Sequence, residues 1–372
     1  MAKITITGDM LSSIRMNEIA DGDYHSFFKN ATKLKNCDYL IGNLETPIAG
    51  EEFSYTFEKY CFNTPTAFLD AVKDCGFDML TLANNHCMDR GEEGLLRTIE
   101  NCKSRGFDTV GAYSTAEERD KLFIREFDGI RVAFINYTYG VNSFVHNRFL
   151  ENKYMVNLLQ PEETKKGSVH LLNDYEVIGE DVERIYSGKT DEFYIVKPYL
   201  DQLERDIRYA KENSDYVIML LHCGGQYVEE VDPYTAFIAE KIKEFGADII
   251  VGNHQHIIQK CEMKDDFLKI FCLGNLLHDN RVGNDDYHFD SPPYSAVFHL
   301  ELYKDETGKV KNKKSFSIYT TASDNKGLPT IIDSADAYNF GREAHVKLPI
   351  LYYANLFVGE ERYKEVKEVY EL

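Results

Sequence analysis

An α/β fold is predicted by the order of the chain's apolar runs. Short runs that read as buried strands alternate with segments of helical spacing from Lys3 to Asn136, and again from about Tyr199 to Gly252. Three later runs, Phe267 to Leu273, Ser295 to Tyr303 and Lys314 to Thr321, have no helical segments between them and predict a second, mixed or antiparallel sheet packed on the first. Strand after strand also ends at a residue able to bind a metal. Strands of a largely parallel sheet end side by side, so such residues would meet along one edge.

The first strand, Lys3-Ile4-Thr5-Ile6-Thr7, runs into Gly8-Asp9. Tyr24 to Lys35 has helical spacing at Phe27, Phe28, Ala31 and Leu34 and leads to the strand Tyr39 to Gly42, with Asn43-Leu44-Glu45 just beyond. Thr66 to Cys75 places Phe68, Leu69 and Val72 on one helix face, and Gly76 is the stop before the strand Met79 to Ala83. Glu92 to Arg105 is a helix that starts acidic and has Gly106 past its end. Asp128-Gly129 makes a hairpin of Phe123 to Phe127 and Arg131 to Ile135, because that dipeptide suits the turn that matches strand twist.

Residues 142–195 are polar and aperiodic, which predicts an insertion with some structure of its own, placed to cover the site. Alternation resumes with a helix at about Tyr199 to Asn213, the strand Tyr216 to Leu221 ending at His222, a helix at Tyr234 to Phe245 and the strand Ile249 to Gly252. Residues 1–325 are read as the main domain, and the aromatic-rich residues 326–372 as an extension packed on it.

With 372 residues, 43% of them hydrophobic, the chain can bury a large core. A net charge of −20 argues against a nucleic-acid partner, since phosphate binding needs Lys and Arg to displace counterions. An anionic substrate would then need local positive charge, which bound metal supplies. No stretch approaches the roughly 20 apolar residues of a membrane span, and the N-terminus lacks an apolar signal-peptide core. The expectation is a cytoplasmic protein with no membrane anchor. The eight cysteines are dispersed without a C-x-x-C pair and read as buried, reduced thiols.

Asp9, Glu45, Asn85, His222, His254 and His256 form the candidate ligand set. Each also has a plain structural reading: Asp9 and Glu45 as caps, Asn84-Asn85-His86 as a turn, His222 as a core histidine, and His254 with His256 as exposed neighbours. Alternate residues such as His254 and His256 point the same way only in a strand and splay apart once the chain bends. Gly252 before them permits close approach of backbone and ligands, and Gly224-Gly225 after His222 favours a tight loop. Carboxylate, amide oxygen and imidazole without thiolate suit manganese, iron or zinc. Tyr137, Tyr139 and Tyr227 are expected to shape specificity.

The motifs Gly8-Asp9-Met10-Leu11, Asn43-Leu44-Glu45-Thr46-Pro47, Leu82-Ala83-Asn84-Asn85-His86 with Asp89 and Gly91, His222 with Gly224, Gly252-x-His254-x-His256 and Leu273-Gly274-Asn275 cover about residues 3–280. In them the chain resembles the bacterial capsule-synthesis proteins of the CapA type, associated with poly-γ-glutamate, within the calcineurin-like metallophosphoesterase superfamily. That resemblance implies a four-layer α/β/β/α sandwich with one or two divalent metal ions between the strand ends of the central sheets. It implies that Asp9 and His256 hold one ion and that Asn85, His222 and His254 hold the other, with Glu45 bridging. His86 would assist chemistry without binding metal, oriented by Asp89, and Asn84 and Asn275 would hydrogen-bond the substrate.

Three positions depart from pattern. The superfamily opens with Asp-x-His, whereas Met10-Leu11 follows Asp9, so the first ion lacks an imidazole, as in CapA-type proteins generally. Cys223 and Gln255 stand where those proteins have tryptophan and proline. The implied activity is metal-dependent hydrolysis of a phosphoester or γ-glutamyl amide. The alternative is a non-catalytic, metal-dependent polyanion-binding component that works with capsule-synthesis machinery.

Overall fold

The structure, a computed structural model, describes residues 1–58, 60–165, 168–169, 182–187, 191–279, 293–323, 328–341 and 344–372. Its strands are β1 (Ala2–Met10), β2 (Tyr39–Leu44), β3 (Met79–Thr81), β4 (Asp108–Val110), β5 (Phe123–Phe127), β6 (Ile130–Thr138), β7 (Glu163–Lys165), β8 (Ser168–Val169), β9 (Val182–Ser187), β10 (Asp191–Val196), β11 (Tyr216–His222), β12 (Ile249–Asn253), β13 (Glu262–Lys264), β14 (Phe267–Ile270), β15 (Asn275–Leu277), β16 (Tyr294–Lys304), β17 (Val310–Ser323), β18 (Pro329–Asp333) and β19 (Tyr370–Glu371). One sheet runs β18-β17-β16-β1-β2-β3-β4, with β15 beside β1 and β19 beside β17; the other runs β13-β14-β12-β11-β6-β5. Two small hairpins, β7–β8 and β9–β10, stand apart.

Side-chain alternation builds four layers from these sheets. In β2, Tyr39 and Ile41 join an apolar cluster with Ile218 and Leu220 of β11, so the two sheets face each other. Leu40 and Leu44 point the other way, onto Phe28, Phe68, Leu69, Val72, Leu95 and Ile99 of the first helical layer. Val217, Met219 and Leu221 of β11 pack outward on Leu203, Ile207, Ile238 and Ile242 of the helices Lys197–Asn213 and Pro233–Phe245. The α/β/β/α sandwich is therefore present.

The division of strands between the sheets differs from the single-edge expectation. β1, β2 and β3 are parallel neighbours in one sheet, and β11 and β12 are parallel neighbours in the other. The helix-free runs do not form a sheet of their own: β16 and β17 extend the first sheet antiparallel from β1, and β14 joins the second beside β12. A strand buried on both faces looks alike in sequence whichever sheet it enters, so long-range pairing decides the matter.

The expected helix from Tyr24 to Lys35 is also interrupted, into a turn of α-helix at His25–Phe28 and a 3₁₀ turn at Thr32–Lys35. Asn30 between them makes a β-bridge with Ile332, which takes its backbone out of helical register. The Asp128-Gly129 hairpin forms as expected, with both residues at positive φ. Within 142–195 the described structure comprises the helix Ser143–His146, a 3₁₀ turn at Lys153–Met155 and the two hairpins. The expectation that this insertion covers the site falls partly on 166–167, 170–181 and 188–190, which lie outside the described residues.

The tail adds β18 and β19 to β17. From it Ile350, Ala354, Phe357 and Tyr370 enter the cluster between the sheets. No helix among the described residues is long and apolar enough to cross a membrane.

Candidate metal centre

Register brings the polar residues together. Asp9 pairs with Asn43 across β1 and β2, which sets Glu45 one residue past the end of β2. In the opposing sheet His222, the last residue of β11, pairs with Asn253, the last of β12, so His254 begins the loop. β12 can lie this close to the next chain segment because Gly252 has no Cβ, which would stand 2.1 Å from the Phe271 carbonyl oxygen. The chain then bends sharply: His254 and His256 have φ of +107° and +61°, and their ring centroids are 5.9 Å apart. Such φ values are strained for residues with a Cβ.

All six candidate ligands are buried, and the two sheets meet through them. The His254 backbone N–H donates to Asp9 Oδ2 at 3.1 Å, and His256 Nδ1 lies 3.5 Å from the same oxygen. His222 Nε2 is 2.8 Å from Asn85 Oδ1, 3.1 Å from His254 Nδ1 and 3.4 Å from Glu45 Oε1. Glu45 Oε1 is also 3.9 Å from His256 Nε2. Two sets of donors each fit within 4.8 Å, Asp9–Glu45–His222 and Glu45–His254–His256, and Glu45 is common to both. These two sets group His222 with Asp9 and His254 with His256, a different split from the one the resemblance implies, with Asn85 touching His222.

Electrostatics suit a cation. Burial pushes the Asp9 carboxyl up, yet contact with His256, the His222 and His256 imidazoles and the Asn43 amide outweigh it and hold Asp9 below the usual carboxylate range. Glu45 goes the other way: burial, then the neighbouring Asp9 charge, drives it well above that range. Burial lowers His222 to about 3 and His254 well below an ordinary imidazole, so both rings are neutral ligands at physiological pH. Both Glu45 oxygens and His254 Nε2 are buried with no hydrogen-bond partner among the described residues. Stranding three such atoms is costly, and a divalent cation would satisfy all of them. The donor set fits one or two divalent ions.

Beside the ligands, His86 Nδ1 lies 2.8 Å from Asp89 Oδ2, which also accepts from the Phe62 N–H at 2.7 Å. Asn84 is spent on structure: its amide donates to the Leu44 carbonyl at 2.8 Å, and its oxygen accepts from the His86 N–H at 3.1 Å. Asn275 Oδ1 meets His256 Nδ1 at 2.9 Å, whereas its buried amide nitrogen has no hydrogen-bond partner among the described residues. Tyr139 packs on the His254 ring and Tyr227 on that of His256, with centroids 4.6 and 5.5 Å apart. Tyr137, grouped with them from sequence, instead faces the outer helices and donates to Asp206 at 2.6 Å. Gln255 Nε2 donates to the Cys223 carbonyl at 2.6 Å and ties the two ligand loops together.

Asn43 belongs to a motif that carries the resemblance but is absent from the candidate site residues. Its amide donates to Asp9 Oδ1 at 2.7 Å and stands 3.2 Å from His222 Nδ1, while its oxygen accepts from Thr81 at 2.8 Å. Its place two residues before Glu45, at a strand end, was the available signal. His146, which stands 3.3 Å from Asp89 Oδ1, had none, being a lone histidine in a polar stretch.

The family model described as "Bacterial capsule synthesis protein PGA_cap" matches residues 3–280, which spans β1 and the whole ligand set. The chain belongs to the PGA_cap family. This PGA_cap chain is 27% identical over 281 residues to "Capsule biosynthesis protein CapA" of Bacillus anthracis, a match covering 74% of the chain and 59% of that relative. It is 24% identical over 320 residues to "PGA biosynthesis protein CapA" of Bacillus subtilis (strain 168), covering 82% and 72%. The chain thus spans less than two thirds of the first relative's length. Among solved structures, a "Putative 5'-Nucleotidase from Staphylococcus aureus in complex with alpha-ketoglutarate" superposes with a TM-score of 0.44 at 12% identity, over 89% of this chain and 54% of the other. That superposition is too weak to bear on function.

Proposed function

We propose that this PGA_cap chain is a metal-dependent hydrolase of an anionic substrate, a phosphoester or a γ-glutamyl amide. The observation that carries the reading is Glu45: a carboxylate with neither oxygen hydrogen-bonded among the described residues, shared by two buried donor sets that each draw on both sheets. When bound, divalent ions supply Lewis-acid polarisation and acidify water. Asp9, Glu45, Asn85, His222, His254 and His256 are the residues proposed to hold them. His86 supplies the proton chemistry: Asp89 engages Nδ1, leaving Nε2 to pass a proton to a leaving group. Asn275, whose buried amide N–H has no partner among the described residues, is the proposed hydrogen-bond donor to substrate; Asn84 lacks that freedom.

Turnover of phosphoester and γ-glutamyl amide substrates with manganese, iron or zinc tests this directly. His86→Ala is expected to lower turnover by about 10²- to 10⁴-fold with metal content unchanged, whereas His254→Ala lowers both. Activity that persists in the double variant removes the hydrolase reading.

A second reading draws on the names of the Bacillus relatives and on Met10-Leu11, which leaves the first ion without the superfamily's usual imidazole. In it, the cleft binds a polyanion such as poly-γ-glutamate for capsule assembly without cutting it. Calorimetric titration that gives metal-dependent binding, with no shortening of the polymer, selects this reading over the first.

A further inference from the structure

Behind the Asp89–His86 pair lies a second cluster of reactive groups that the hydrolase reading does not use. Cys61 Sγ, an Asp89 carboxylate oxygen and a His146 ring nitrogen all lie within 4.8 Å of one another. Arg90 Nη1 donates to the sulfur at 2.6 Å, and Arg148 Nη1 reaches it at 3.6 Å. Both guanidinium groups are anchored, since Arg90 also donates to the Cys61 and Asp89 carbonyls at 3.2 and 3.0 Å and Arg148 bonds the Asp89 carbonyl. The His146 side chain is 8% exposed, and its Nε2 has no aligned hydrogen bond to any described group.

We propose that Cys61 is a reactive thiolate, held by Arg90, Arg148 and His146, that hydroperoxides oxidise to a sulfenic acid. The same three donors are also of the types that bind zinc. Two guanidinium N–H groups already occupy the sulfur, however, and place two positive charges where a cation would sit. Those charges stabilise S⁻ directly. The groups facing the sulfur are Asp89, Arg90, His146 and Arg148, one negative against two fixed positive charges and an imidazole.

Titration behaviour agrees with this geometry. Burial and the Asp89 charge push the Cys61 thiol up, but contacts with His146 and Arg148 outweigh them and leave it below an ordinary thiol. Burial raises Cys37, Cys75, Cys87, Cys102, Cys261 and Cys272 instead. All eight cysteines are free of disulfides.

Cys61 is buried but thinly covered. The stretch before it is mostly exposed, and Phe57, 60% exposed, lies over Arg90 at 5.6 Å. Access for a hydroperoxide would run past this exposed stretch. In the reaction the thiolate attacks one peroxide oxygen, the O–O bond breaks, and the departing oxygen takes a proton from protonated His146. The products are Cys–SOH and water or an alcohol.

The test treats the intact protein with hydrogen peroxide at pH 7, unfolds it in dimedone, and maps adducts by mass spectrometry. Cys37 is the control, being more exposed than Cys61 yet shifted upward. Cys61 is expected to form the adduct at least about tenfold faster than Cys37, with the midpoint of its pH–rate profile below that of an ordinary thiol. Arg148→Gln and His146→Asn are expected to slow Cys61 several-fold and move its pH profile upward. If a variant does not fold, the wild-type rate profile between pH 6 and 9 decides alone. Oxidation of Cys37 first, or of Cys61 only near an ordinary thiol's pKa or only after unfolding, overturns the proposal. So does one equivalent of zinc that protects Cys61 and is missing from Cys61→Ser. None of these outcomes depends on hydrolase activity, so this inference and the proposed function stand or fall separately.

Discussion

Asp9 and Glu45 are neighbouring buried carboxylates pushed in opposite directions, and this makes Glu45 the residue whose titration reports on the centre. Without metal, folded Glu45 keeps its proton to well above the ordinary value of 4.5. A raised folded value means stability is fully present at low pH and is lost as pH rises towards that value, because the unfolded chain releases its proton first. In chelator, Glu45→Gln is therefore expected to melt at a higher temperature than wild type at pH 7, with the two converging below about pH 4.5. Equal melting at both pH values would mean that Glu45 is not buried as described. With metal present the order reverses, since the substitution removes a shared donor. His254 offers a second test. At φ +107° an L residue is strained, so His254→Gly is expected to be about 1 kcal/mol more stable than His254→Ala in chemical denaturation, though both lose the imidazole.

Among the elements, the loop after β12 carries the most consequence. A methyl group at position 252 meets the Phe271 backbone oxygen at 2.1 Å, and backbone cannot step aside as a side-chain tip can. Gly252→Ala is expected to cost about 1–3 kcal/mol and to weaken metal binding, read by denaturant melts and metal titration. Full stability in that variant would show that β12 and Phe271 do not approach as closely as described. Helices were the more legible elements. The spacing of Phe68, Leu69 and Val72 located Ala67–Asp74, and Glu92 to Arg105 located Gly91–Ser104, each within a residue or two. Tyr24 to Lys35 failed because the bridge between Asn30 and Ile332 joins segments about 300 positions apart, beyond the reach of any local pattern.

At the scale of the whole molecule, the ligands join two sheets: Asp9 and Glu45 lie at or just past strand ends of one, and His222, His254 and His256 at or just past strand ends of the other. An ion held between them clamps the sandwich. Metal at about 100 times its dissociation constant is expected to add about 2.7 kcal/mol, seen as a higher melting temperature. Hydrogen exchange should slow at the ends of β1 and β2 and of β11 and β12 together. Protection confined to one sheet would place the ion on that sheet alone.

By itself the sequence determined the α/β class, the strands that end in polar residues and the chemical type of the donor set, because alternation, strand-ending glycines and side-chain chemistry are local properties. It also marked Asp89 beside His86, three positions apart. Which strands share a sheet, the positive φ at His254 and His256, the outward turn of Tyr137, and the closure of His146 and Arg148 over Cys61 were decided only by tertiary structure. Each of these depends on pairing or packing between distant segments. Doubly buried strands carry the same apolar signature in either sheet, so their partners are set by the packed whole.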